Sequence, residues 1–151
     1  MKTKHVILAI AAFTVTGKLF AQSGSLEIDT DLKSINIEAS ADFGKFKTEI
    51  GTTFNVSEKK ITELHASLQM SPADIYMTLE CGRLTGKSVD EVVAVYKANK
   101  GRGWGVIAKE LGIKPGSKEF HELKVNTKAR AEKGKQKKVN KEHGKGKYKH
   151  K

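Results

Sequence analysis

Only one cysteine, two prolines and one tryptophan occur among 151 residues, and each shortage excludes something. Cys81 alone cannot close an intramolecular disulfide, so the fold must be held by packing. His65 and His121 have no second His or Cys at ligand spacing, and His121-Glu122 lacks the second histidine of a zinc-protease helix. Thr85-Gly86-Lys87-Ser88 ends like a phosphate-binding loop, but Cys81 stands where the first glycine belongs. Asp74 and Glu80 are six residues apart, on different sides of a helix, so they form no paired-carboxylate site. Cys81 has no neighbour that would depress its pKa and reads as a buried, inert thiol. These absences leave no expected catalytic residue, cofactor or metal.

What is present begins with a leader. Lys2 and Lys4 precede an apolar run from Val6 to Val15, and Ala21-Gln22 is a plausible cleavage point. Residues 1–21 read as a signal peptide, and that run is too short to span a bilayer. The mature chain, from Gln22, is expected in the periplasm or secreted, with no transmembrane span. The cleavage point carries no cysteine for a lipid anchor.

Charge divides the mature chain. Residues 22–123 hold 13 Lys and Arg against 15 Asp and Glu, a net of −2. Residues 124–151 hold 12 against 2, a net of +10. The basic character therefore belongs to the C-terminal end.

Residues 22–41 alternate apolar and polar positions, Leu26, Ile28 and Leu32 and then Ile35, Ile37 and Ala39, the pattern of an extended segment or β-hairpin. From 42 to 54 both periods fit. Phe43, Phe46, Ile50 and Phe54 share one helical stripe, whereas Phe46 to Val56 also alternates, and the large apolar stripe favours a helix. Ser57 caps a helix bearing Ile61, Leu64 and Leu68, and Ser71-Pro72 opens the next, with Ile75, Tyr76 and Leu79. Ser88 caps a third, with Asp90 and Glu91 in its first turn and Val92, Val93, Val95 and Tyr96 as its apolar surface. At an offset of 31, Ser57, Ile61 and Leu64 fall on Ser88, Val92 and Val95, a likeness that any two capped amphipathic helices share. The expected fold is mainly α: a compact bundle of four or five short helices over 42–124, with the extended or hairpin segment before it and a disordered tail after it.

The stretch Gly101-Arg102-Gly103-Trp104-Gly105-Val106-Ile107-Ala108-Lys109-Glu110-Leu111-Gly112 reads as a short helix with glycine punctuation, and after Lys114-Pro115-Gly116 Ser117 caps another. Trp104 most simply wedges between helices. A ligand or partner site there would use Arg102, Gly103, Trp104 and Gly105, with Tyr76 and Tyr96 as neighbours of a small-ligand or enzyme pocket. The unit also looks like a helix-turn-helix with 117–124 as recognition helix, although Glu119 and Glu122 would face phosphates there. This stretch, with Lys118-Glu119-Phe120-His121 and Ser71-Pro72-Ala73-Asp74-Ile75-Tyr76-Met77, resembles a group of small exported bacterial proteins of unknown function. The resemblance implies an exported helical domain and brings no site residues with it.

The tail 125–151 is Lys-rich and low in complexity, with Val125 and Val139 its only large aliphatics. It reads as disordered, apart from a helix begun at Ser117 and running to about Lys133. Lys133, Lys135, Lys137, Lys138, Lys141, Lys145, Lys147 and Lys149 are its polyanion-binding candidates. The partners they fit are anionic lipid, lipopolysaccharide, acidic wall polymer or extracellular nucleic acid. His143 and His150 mark no defined metal site. The functional expectation is an exported, non-enzymatic envelope binding module, open to a protein partner on its helical part. The helix-turn-helix nucleic-acid binder and the Trp104 pocket are its alternatives.

Overall fold

A computed structural model describes residues 21–145, with side chains described over 27–136. The expected leader, but for Ala21, and the last six residues lie outside the described residues. Among the described residues there are seven α-helices and no strand: α1 (Ala21–Ala41), α2 (Phe43–Phe54), α3 (Glu58–Ala66), α4 (Pro72–Thr85), α5 (Val89–Ala98), α6 (Trp104–Glu110) and α7 (Lys118–Lys145). The mainly helical class is as expected, with more helices than the expected four or five.

The N-terminal hairpin is replaced by helix α1. Its buried residues are Ile28, Leu32, Ile35 and Ala39, spaced 4, 3 and 4 apart, which is the stripe of a helix. The alternation seen in the sequence came from Ile37, which is 67% exposed and belongs to no core. A lone hairpin is marginal, whereas this stripe lies on both α4 and α7.

The stripe reading of 42–54 holds. Phe46 and Ile50 are buried in α2, and Phe43 and Phe54 pack on the core half-buried. Asp42 starts the helix by accepting from the Lys45 amide at 2.9 Å, and Asn55 ends it at φ 52°. Serine caps start the helices where the sequence places them. Ser57 accepts from the Lys60 amide, and Ser71 and Ser88 form reciprocal capping boxes with Asp74 and Glu91. Pro72 sits at the first helical position.

Helix α4 is the centre. From Ala73 to Gly82 every residue but Asp74 is buried, because α1, α2, α3, α5 and α7 all pack on it. The offset of 31 also sets Ala73-Asp74-Ile75-Tyr76 on Trp104-Gly105-Val106-Ile107, but the helices that carry them differ in length, since α4 has 14 residues and α6 has 7.

The disordered tail 125–151 is corrected as far as residue 145: α7, expected to run only to about Lys133, is continuous to Lys145. Leu123, Thr127, Arg130 and Ala131 are buried along one stripe. Two polar atoms on that stripe are bonded: the Thr127 hydroxyl donates to the Leu123 carbonyl at 2.7 Å, and Arg130 Nη1 pairs with Glu38, whereas Arg130 Nε and Nη2 are buried without a hydrogen bond. Composition predicted disorder because it counts large aliphatics; past Leu123 the stripe is built from Thr127, Arg130 and Ala131 instead. Gly134, expected to end the helix, lets α1 come close. A Cβ there would lie 2.8 Å from a Glu38 carboxylate oxygen. Glu27 pairs with Lys124 at 2.7 Å and Glu38 with Arg130, so α1 and α7 run parallel. Among the described residues no helix is long and apolar enough to cross a membrane.

Candidate functional site

Trp104 opens α6 as a buried side chain, 5% exposed. Gly103, at φ 81°, caps the helix without a side-chain hydrogen bond, a conformation that favours glycine. The indole stacks on Tyr96 of α5, ring centres 5.6 Å apart, and its Nε1–H donates to Asp74 Oδ1 of α4 at 2.8 Å. The other oxygen of Asp74 accepts from the Tyr96 hydroxyl at 3.2 Å and from the Ser71 hydroxyl at 2.7 Å. One carboxylate thus ties α4, α5 and α6. Burial, then the Asp74 charge and its hydrogen bond, push the Tyr96 hydroxyl up to about 12.

The other residues of the expected Trp104 site do not join this knot. Arg102 is exposed and donates to the Asn99 side chain at 2.9 Å. A Cβ at Gly105 would meet nothing within 4 Å. Tyr76 packs edge-on against Phe54 of α2, and burial raises its hydroxyl above the usual range. The geometry around Trp104 is that of a helix junction in which the one polar atom of the indole is already bonded.

The helix-turn-helix unit is placed with its second helix against the body. Residues 111–117 join α6 to α7, where the Ser117 hydroxyl accepts from the Phe120 amide at 3.1 Å. Phe120 is half-buried, Leu123 is buried, and Glu122 accepts from Arg83 of α4 at 2.8 Å. Arg83 also binds Glu80, which is 2% exposed and accepts in addition from Asn126 at 2.7 Å. Hydrogen bonds to Glu80 and Glu122 raise the Arg83 guanidinium above its ordinary value. The first turns of α7 are thereby fixed to α4.

The phosphate-loop-like stretch is helix punctuation. Gly86, at φ 70°, ends α4, and the Ser88 hydroxyl and amide both bind Glu91. Among the described residues no cluster of His, Cys, Asp and Glu could hold a metal ion. Cys81 is buried, and burial followed by the Glu80 charge pushes its thiol up to about 12. A native chain is therefore expected to resist a disulfide-forming thiol reagent at pH 8 and to react within seconds once unfolded in urea. Fast labelling of the folded chain would show that the thiol is reachable.

The tail lysines fall into three groups. Lys133 and Lys135 are exposed on α7. Lys137, Lys138, Lys141 and Lys145 occupy its last turns, and Lys147 and Lys149 lie outside the described residues. Acidic α1 faces the first half of α7 through Glu27, Asp31 and Glu38. Asp31 lines a shallow groove with Ile28, Lys124, Val125 and Lys128, and burial raises its carboxyl.

Sequence reasoning missed the two carboxylates that organise these junctions. Asp74 was detectable as the third residue after the Ser71 cap, and Glu80 through its spacing of three from Arg83. Arg130 had no such signal, because both of its carboxylate partners are more than 80 residues away. No family model, curated protein or solved structure matches the chain.

Proposed function

We propose that the chain is an exported, non-enzymatic binding module of the cell envelope that attaches to anionic polymers or surfaces through the lysines of α7 and the residues after it. The observation that carries this reading is the division of charge along one helix. The net of +10 after residue 123 begins where α7 is fixed to a body of net −2 and continues past the last pairing with α1. Lysines neutralise phosphates and release counterions, so binding of this kind is strong at low salt and falls steeply as salt rises. The non-enzymatic part is supported by the buried thiol of Cys81, the occupied N–H of Trp104 and the capping role of Ser88. Export is supported by the leader-like residues 1–21.

The test compares the mature full-length chain with one in which Lys135, Lys137, Lys138, Lys141, Lys145, Lys147 and Lys149 are all glutamine, on immobilised heparin and on DNA. The parent is expected to lose on the order of a thousandfold in affinity between about 50 and 200 mM salt, as six to ten phosphate contacts do. The glutamine chain should melt at the same temperature and hold to neither matrix. Undiminished binding by that chain would remove the lysines from the reading. When the chain is expressed with residues 1–21 in place, recovery with an N-terminus at Gln22 supports export and an intact Met1 opposes it.

A further inference from the structure

We infer that Lys124 and Lys128 of α7 are two further phosphate contacts of the binding module, and that Glu27 and Asp31 of α1 occupy them in the unbound chain; this rests on the reading above and adds a regulation to it. In each helix the two residues are four apart, so each pair shares one face. The Lys124 ammonium meets Glu27 at 2.7 Å. Glu27, Asp31, Lys124 and Lys128 all line the shallow groove between α1 and α7, together with Ile28 and Val125. The charges that act on Asp31 are Lys135 and Lys128 on one side of the balance and Glu132 and Glu27 on the other. The net of +10 after residue 123 therefore begins with lysines that already face carboxylates of their own chain.

Exposure separates this seam from the other contact of α1 with α7. Arg130 is 8% exposed, so its pairing with Glu38 serves the fold and offers nothing to an outside ligand. Lys124 and Glu27 retain 31% and 67% of their side-chain exposure, and Lys128 is exposed. Ion pairs at such positions add little to stability and are screened by salt, so an incoming anion can take the ammonium. A phosphate chain that does so releases counterions, which a single fixed carboxylate does not match. The carboxylates still lower its affinity, because each one sets a like charge beside the phosphate that its lysine attracts. Glu27 and Asp31 thus act as an internal competitor, and the lysines from Lys133 onward are left to make the first contacts.

The experiment uses the mature full-length chain and a labelled oligothymidylate at about 50 mM salt. E27Q/D31N opens the pair, and D29N/E110Q removes the same charge from exposed positions outside the groove. E27Q/D31N is expected to bind about tenfold more tightly than the parent, with a steeper salt dependence by about one to two contacts. D29N/E110Q should gain about threefold or less. K124Q/K128Q is then placed in both backgrounds as a double-mutant cycle. It should weaken the opened chain about tenfold more than it weakens the parent. Equal gains from the two carboxylate variants would mean that the acids act through net charge alone: the masked pair is overturned and the polyanion reading stands. Equal losses from K124Q/K128Q in the two backgrounds overturn it as well. So does an E27Q/D31N chain that melts lower and binds no better, since the carboxylates would then serve only to hold α1 on α7. If neither the parent nor E27Q/D31N binds the probe at low salt, the polyanion reading itself fails.

Discussion

Trp104→Ala is expected to destabilise the fold by about 3–5 kcal/mol, the usual cost of deleting a buried large aromatic side chain. The indole is 5% exposed, stacks on Tyr96 and donates to Asp74 at 2.8 Å, so truncation opens a cavity and takes a donor from a carboxylate at the same time. Domains of this size are stable by about 5–15 kcal/mol, so the loss is a large share of the total. The melting temperature should fall by on the order of 10–20 °C. Trp104→Phe separates the two contributions. It keeps most of the stacked surface and removes the N–H, and should cost about 1.5–3 kcal/mol, the range for a hydrogen bond to a charged group. Urea melts followed by circular dichroism read both. An alanine variant that melts within about 2 °C of the parent would mean that the indole is not part of the core, and the ligand-site reading of Trp104 would regain its force.

A chain ending at Lys124 is expected to lose its cooperative fold, whereas one ending at Gln136 is expected to keep it. The first cut follows the composition, and the second follows the structure. Ending at Lys124 removes Thr127, Arg130 and Ala131 and uncovers the α1 stripe of Ile28, Leu32, Ile35 and Ala39. It also leaves Glu38 without Arg130, and breaking a well-buried ion pair by removing one partner costs about 3–5 kcal/mol. Arg130 holds α2 as well, through Glu49 at 3.8 Å and with its guanidinium 5.4 Å from the centre of the Phe46 ring. Ending at Gln136 keeps every one of these contacts. Melting curves of the two chains decide the matter: equal melting temperatures would place residues 125–136 outside the folded body. Binding studies with the shorter chain would confuse loss of fold with loss of charge, which is why the lysine substitutions above leave the length unchanged.

Legibility in the sequence followed the range of the interactions. The starts of α3, α4, α5 and α7 could be read because a serine bonds an amide three residues on, so Ser57, Ser71, Ser88 and Ser117 carry their partners with them. The wedge role of Trp104 could be read from its type and its glycine neighbours, but the acceptor of its N–H could not, since Asp74 is 30 residues away. Around Asp74 and Glu80 the sequence offered two carboxylates six residues apart and no reason to give them different tasks. The structure gives the first to α5 and α6 and the second to α7.

The sequence by itself determined the helical class from residue 57 onward, the main caps and the charge division at residue 124, because each depends on residue type and on neighbours within one or two turns. Tertiary structure decided the two ends. Residues 21–41 could be extended or helical until α4 and α7 supplied surfaces for the Ile28, Leu32, Ile35 and Ala39 stripe. Residues 125–134 looked like solvated tail until α1 supplied Glu38 for Arg130 and a close approach at Gly134. Each of these segments is weak alone. Parallel to each other over the centre of the fold, they bury one another's stripes and pair opposite charges, and that mutual burial is a property of the pair that neither segment displays in its own sequence.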